Sequence, residues 1–278
     1  RVAAAIGGWL GRLAYRPFRV RAKTVEAQVA FAFPHFTPAQ VRATARAAFD
    51  NLGRTAIEAA VVSARGRSAV RDYTPIEGIE HLQAAHDAGR GGVIVAGHAG
   101  NWELAGAAIA AHGFPCDAIA RHMGNPLFER YLTRVREVSG LTIVFDDEAV
   151  RRIPRAVKEG RFVGLLADQG VLGLASTFVP FFGRMAKTPR GPAVFALRMN
   201  VPVLFAVGVR DEQQRPRLKI EPMDVTVTGD REHDVEVLVA AYTRRLEEHV
   251  RQYPGQYFWQ HRRWKRQPEG APPLPPGL

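Results

Sequence analysis

A single cysteine, Cys116, stands in 278 residues, which excludes an intrachain disulfide and any cysteine-based metal cluster. Apolar runs are short as well: no stretch reaches the roughly 18 consecutive apolar residues of a membrane-spanning helix. There is no Gly-x-Ser-x-Gly, which weakens a serine hydrolase, and no His-Glu-x-x-His, which weakens a zinc protease. A helix-turn-helix pattern and interleaved aromatic–basic repeats are missing too, which counts against a nucleic-acid partner. Acid is the remaining shortage: 27 Asp and Glu face 38 Lys and Arg, a formal net charge of +11. Such a surface attracts polyanions, and besides nucleic acid the common one is the anionic face of a bilayer.

What is present reads as alternating strand and helix. Residues 37–64 open with a capping threonine, Thr37, before Pro38, and carry apolar positions at helical spacing. Short apolar runs follow at 92–97, 117–120, 141–145, 162–167, 201–209 and 218–221. Between and after them, helical patterns cover 102–112, 126–138, 148–159, 190–199 and 234–252. This alternation predicts an α/β fold, a central mixed sheet flanked by helices. An N-terminal helical, membrane-proximal segment spans residues 1–36, where the apolar stretch 2–13 precedes Arg16, Arg19, Arg21 and Lys23. The first residue is Arg1, which points to natural sequence upstream. Residues 37–268 form the catalytic domain, and 269–278, rich in proline, are expected to be disordered.

One segment carries chemistry. In Gly97-His98-Ala99-Gly100-Asn101-Trp102-Glu103 a buried strand delivers a histidine into a glycine-flanked turn, and a helix follows with Asn101 at its cap. Glu103 lies five residues past His98. A fold-back at Gly100 lets its carboxylate orient the imidazole and support the imidazolium. His98 then serves as a base toward a hydroxyl, with donors around the 97–101 turn receiving an oxyanion. A bland account fits the same residues: His98 satisfied in a turn, and Glu103 answering the helix dipole. Cys116 enters a strand after Phe114-Pro115 and is a poor nucleophile for that reason.

This strand–His–four residues–acid pattern resembles the signature of the lysophospholipid and glycerolipid acyltransferase superfamily, and in particular its lipid A late acyltransferase (lauroyl and myristoyl transferase) branch. Three further blocks carry the resemblance, in the same order. They are Arg121-His122-Met123-Gly124-Asn125-Pro126-Leu127, then Ala167-Asp168-Gln169 with Ser176–Gly183, then Pro254-Gly255-Gln256-Tyr257-Phe258-Trp259-Gln260-His261-Arg262-Arg263-Trp264-Lys265. The resemblance implies catalytic His98 and Glu103, with Arg121, Asn125, Arg136, Asp168 and Gln169 at the substrates. It also implies transfer of a fatty acyl group from an acyl-carrier-protein or coenzyme A thioester to a membrane-lipid hydroxyl, without metal or resident cofactor. The implied place is the cytoplasmic face of a bacterial inner membrane. A phosphatidylinositol mannoside or lysophospholipid acceptor is the alternative, and a non-enzymatic basic membrane-binding module a more distant one. Pro189 and Arg190 depart from the branch pattern where head-group contacts are expected.

Overall fold

The run Val93-Ile94-Val95 is apolar on both sides because its strand has a helical layer on each face, as parallel central strands do. The structure, a computed structural model, describes residues 2–170, 175–225 and 227–278. Helices α1 (Val2–Tyr15), α2 (Ala22–Ala32), α3 (Pro38–Ser63) and α4 (Arg67–Tyr73) precede β1 (Ile76–Glu77) and α5 (Ile79–Asp87). Next come β2 (Gly92–Ala96), α6 (Trp102–Ala111), β3 (Cys116–Ala120), α7 (Pro126–Val138), β4 (Thr142–Phe145), α8 (Ala149–Lys158) and β5 (Phe162–Leu166). The chain continues with β6 (Ser176–Phe181), β7 (Arg184–Pro189), α9 (Gly191–Met199), β8 (Val203–Arg210), β9 (Pro216–Pro222) and α10 (Arg231–Gln252).

The seven-stranded sheet has the order β1-β9-β8-β2-β5-β3-β4. Strands β8 and β9 pair antiparallel and the other neighbours are parallel, so the sheet is mixed as expected. Alternation along β2 assigns its two faces. Val93 and Val95 join one core with Val25 and Val29 of α2, Leu246 of α10, and Tyr257, Trp259 and Trp264. Ile94 joins the other with Leu104 and Ile109 of α6, Cys116, Leu141 and Leu218.

Local chemistry sets the boundaries. Thr37 and Gln40 form a reciprocal capping box at α3, and Asn125 caps α7 ahead of Pro126. Asp230 caps α10, which starts at Arg231 rather than 234 as the periodicity indicated. Strands β6 and β7 form a separate hairpin whose tip, Phe182-Gly183, takes positive φ at both positions (51° and 73°), the requirement of a tight primed turn.

At the N-terminus, α1 packs on α3 through glycine: a Cβ on Gly7 or Gly11 would run into the Gly53 or Phe49 carbonyl oxygen. This close crossing turns Val2, Ile6, Trp9 and Leu10 outward, where they are exposed. Among the described residues no helix is long and apolar enough to cross a membrane. The C-terminal residues differ from expectation. Instead of a disordered tail, Leu278 is buried in the core, and its carbonyl accepts from Arg262. Arg184 also reaches back to the Pro272 carbonyl. Leu278, a partly buried Leu274 packed against the same core, and these arginines anchor the segment.

Candidate active site

The parallel register of β2 and β5, with Ala96 opposite Leu166, brings the two strand ends together at the carboxyl edge of the sheet. His98 and Asp168 each lie two residues beyond. One Asp168 oxygen accepts the backbone N–H of His98 at 3.0 Å, and the other meets His98 Nδ1 at 2.6 Å. Asp168 is buried and the His98 side chain 17% exposed. Burial opposes ionisation of Asp168, but the charge and hydrogen bonds of His98, with Arg263 behind, hold its pKa at about 2. A carboxylate in that state only accepts, so the group facing it is Nδ1–H, and in the neutral form of the ring it is Nε2 that keeps the lone pair. Trp102 and Phe258 flank the ring, with centroids 5.3 and 5.8 Å from that of His98.

The expected partnership of Glu103 with His98 is therefore corrected: the carboxylate on the imidazole is Asp168. Glu103 sits in the first turn of α6 and faces α7, where Arg136 engages both its oxygens, at 2.9 and 2.8 Å. Burial works against the Glu103 charge, but the hydrogen bonds and charge of Arg136, with His98 and Trp102 adding, lower its pKa below the usual range. Planar fork meets planar carboxylate, a geometry lysine does not reproduce. Gln169 is beside the ring, its amide nitrogen 3.4 and 3.5 Å from the two imidazole nitrogens. Arg121 and Asn125 belong to a different neighbourhood, the loop between β3 and α7. Arg121 pairs with Asp146, and Asn125 spends its oxygen on the Leu127 and Phe128 amides as a helix cap.

The turn itself is held from below and above. Asn51 and Thr55 of α3 both donate to the Gly100 carbonyl. Beneath them Glu58 is buried against Arg210 at 2.6 Å and accepts from the Asn101 amide. The carboxy-terminal block closes the other side: Phe258 N–H donates to the His98 carbonyl, and Gly100 N–H to that of Gln256. This accounts for much of the block's length, because its backbone is stitched to the histidine turn. It also alters the expected oxyanion site. The N–H groups of His98, Ala99 and Gly100 are all engaged within the protein, with Asp168, Gly97 and Gln256. The polar stripe Asn51, Thr55, Glu58 on an otherwise apolar face of α3 was the sequence signal for this support.

From Glu103 and Arg136 a narrow apolar cleft, open to solvent at its mouth, runs between α6 and the sheet. Its walls include Ala96, Gly106, Ile109, Gly164 and Leu141. Cys116 lines it as well, a thiol that burial, with Asp117 adding, pushes up to about 12 and so leaves inert as a nucleophile.

Along most of its length the chain is similar to known lipid A biosynthesis acyltransferases. It is 27% identical to the lipid A biosynthesis lauroyltransferase of Escherichia coli (strain K12) over 270 residues, 96% of this chain and 86% of that protein. The palmitoleoyltransferase of the same pathway and strain is 28% identical over 278 residues, 98% and 88%. A phosphatidylinositol mannoside acyltransferase of Mycolicibacterium smegmatis (strain ATCC 700084 / mc(2)155) is 26% identical over 190 residues, 67% and 60%. The model of the bacterial lipid A biosynthesis acyltransferase family matches residues 1–266, and the chain belongs to that family, an O-acyltransferase that transfers an acyl group to a lipid.

Proposed function

We propose that the chain moves a fatty acyl group from an acyl-carrier-protein or coenzyme A thioester to a hydroxyl of a lipid A precursor, with His98 as general base. The observation that carries this reading is the two-point hold of Asp168 on His98, whose ring packs on Trp102, a residue that lines the apolar cleft. His98 Nε2 takes the acceptor's hydroxyl proton while the oxygen attacks the thioester carbonyl. Asp168 supports the imidazolium. Collapse of the tetrahedral intermediate breaks the carbon–sulfur bond, and the thiolate leaves with the proton from Nε2. Gln169, whose amide nitrogen is beside the ring, supplies a donor to the oxyanion in place of the engaged turn amides. The acyl chain lies in the cleft between α6 and the sheet, and the Arg136–Glu103 pair at its mouth positions the thioester end.

The exposed Val2, Ile6, Trp9 and Leu10 face of α1 and the +11 charge support peripheral attachment to the cytoplasmic face of a bacterial inner membrane. Similarity to a phosphatidylinositol mannoside acyltransferase over 67% of the chain keeps that acceptor as a second reading. Purified protein offered a radiolabelled acyl thioester and both acceptors in parallel tests the two. Transfer to the lipid A precursor is expected, and it should vanish in His98→Ala. Equal transfer by that variant would sink the mechanism.

A further inference from the structure

His98 stands at the edge of β2, between the two faces of the sheet. The cleft proposed for the acyl chain is on the face of Ile94 and Ala96; the opposite face carries α2 and the block with Tyr257, Trp259 and Trp264. That opposite side presents cations. In the turn between α1 and α2, Phe18-Arg19-Val20-Arg21 is exposed throughout, with Phe18 72% and Val20 54% accessible. Arg19 and Arg21 both hold φ at 51°, a left-handed conformation unfavourable to a residue with a Cβ. Strain of this kind persists where the surroundings over-determine it, commonly at sites of ligand contact.

The surroundings are explicit. Arg21 Nη1 donates to the Gln260 carbonyl at 3.0 Å. Gln28 of α2 grips the same segment, donating to the Trp259 and His261 carbonyls and accepting from Arg263 N–H. Two residues earlier Phe258 N–H is bonded to the His98 carbonyl, and two residues of chain span at most ~7 Å. Gln260 is 6% exposed, and neither polar atom of its amide has a partner among the described residues. Neither Arg19 nor Arg21 forms an ion pair with a described residue, whereas Arg12, Arg54, Arg136 and Arg210 all do. His261 is half-buried beside them. Burial draws its pKa down to about 4 against the pull of Asp168, with Arg263, His98 and Arg21 adding, so it offers a neutral N–H at neutral pH.

We propose that Arg21, Gln260 and His261 form an anion subsite that holds a phosphate of the acceptor's head group, on the side of His98 away from the acyl cleft. Phe18 and Val20 enter the interface beside it, so the head group is taken directly from the bilayer. This rests on the acyltransferase reading for its purpose but not for its binding chemistry. An arginine fork, an amide and an imidazole N–H supply donors for several phosphate oxygens.

The test is co-sedimentation of the full chain with phosphatidylcholine vesicles carrying a lipid with a phosphomonoester head group. Inorganic phosphate serves as competitor. Arg21→Gln and His261→Gln should each weaken retention about tenfold. His98→Ala, and Arg231→Gln at the exposed start of α10 as a charge control, should bind as wild type. In transfer assays the two subsite variants should raise KM for a phosphorylated acceptor and leave its dephosphorylated counterpart unaffected. Wild-type retention by Arg21→Gln and His261→Gln overturns the subsite whatever the transfer assays show. Displacement by inorganic phosphate as strong as by the phosphorylated lipid itself overturns its assignment to a lipid head group. Arg21-dependent retention without transfer to any lipid leaves the subsite standing and removes the acyltransferase reading.

Discussion

Gly106 gives the sharpest handle on where the acyl chain lies. It is in the middle of α6 and lines the cleft, and a Cβ built on it meets nothing closer than Leu141 Cδ1 at 3.7 Å, ordinary contact. The fold has room for a side chain there. Glycine in a helix interior costs about 1 kcal/mol relative to alanine, so Gly106→Ala should hold or raise the melting temperature. Within the cleft the effect has the opposite sign. Each methylene denied burial forfeits about 0.8 kcal/mol, about fourfold in kcat/KM, since ~1.4 kcal/mol is tenfold. The one carbon of Gly106→Ala shortens the reach by about one methylene. The three carbons of Gly106→Val deny about three, roughly 2.4 kcal/mol or 60-fold against the longest chain accepted. Chains too short to reach Gly106 keep their rate. The assay is competition among acyl thioesters of graded length, read by mass spectrometry of the products. Gly164 of β5, where a Cβ would find only the Asp117 carbonyl at 3.8 Å, is the second probe on the facing wall. An unchanged length preference in both Gly106→Val and Gly164→Val would refute this placement of the chain.

Three more outcomes follow from the same geometry. Glu58→Ala strands the buried Arg210 guanidinium and should cost about 3–5 kcal/mol in urea unfolding, while replacing both partners with apolar residues should cost far less. Gln169→Ala should lower kcat by on the order of a hundredfold with little change in KM for either substrate, in steady-state transfer assays. The third concerns acid. His249 is buried, and burial, with Lys219 adding and a Gly208 backbone contact opposing, draws its pKa to about 4. A lowered histidine pKa means that the unfolded chain takes the proton first. This contribution is whole above the unfolded value of ~6.5 and drains as pH falls toward the folded one, on the order of 3 kcal/mol in all. Urea midpoints measured at neutral and mildly acidic pH should diverge in wild type and diverge less in His249→Gln.

How far the sequence reached can be judged residue by residue. Central strands such as 162–167 were legible because burial on both faces leaves a continuous apolar run, and α7 because Asn125-Pro126 marks its start. His98 was legible as a strand-end histidine in a glycine turn. Its partner was not. Which carboxylate meets Nδ1 depends on β2 lying beside β5, a pairing across some 70 residues of chain that local spacing does not encode. Glu103, near in sequence, was the natural choice, yet α6 turns it toward Arg136. Asn125, which family resemblance implies at the substrate, also has a structural task, its side-chain oxygen capping α7. The tail was misjudged from composition, because Leu278 and Leu274 pack on the core and Arg262 and Arg184 hold its carbonyls.

The central claim is that Asp168, not Glu103, sets the tautomer of a catalytic His98. Single-turnover acyl transfer by Asp168→Asn and Glu103→Gln, side by side with wild type, addresses it most directly. Asparagine at 168 can offer an N–H to Nδ1 and so favour the tautomer with Nε2 protonated; a fall of about 10³–10⁴ in the chemical step is expected, as for other histidine bases that lose their orienting carboxylate. Glu103→Gln keeps the shape of the Arg136 contact and should lose far less, chiefly in KM. A near-wild-type rate in Asp168→Asn, with collapse in Glu103→Gln, would contradict it.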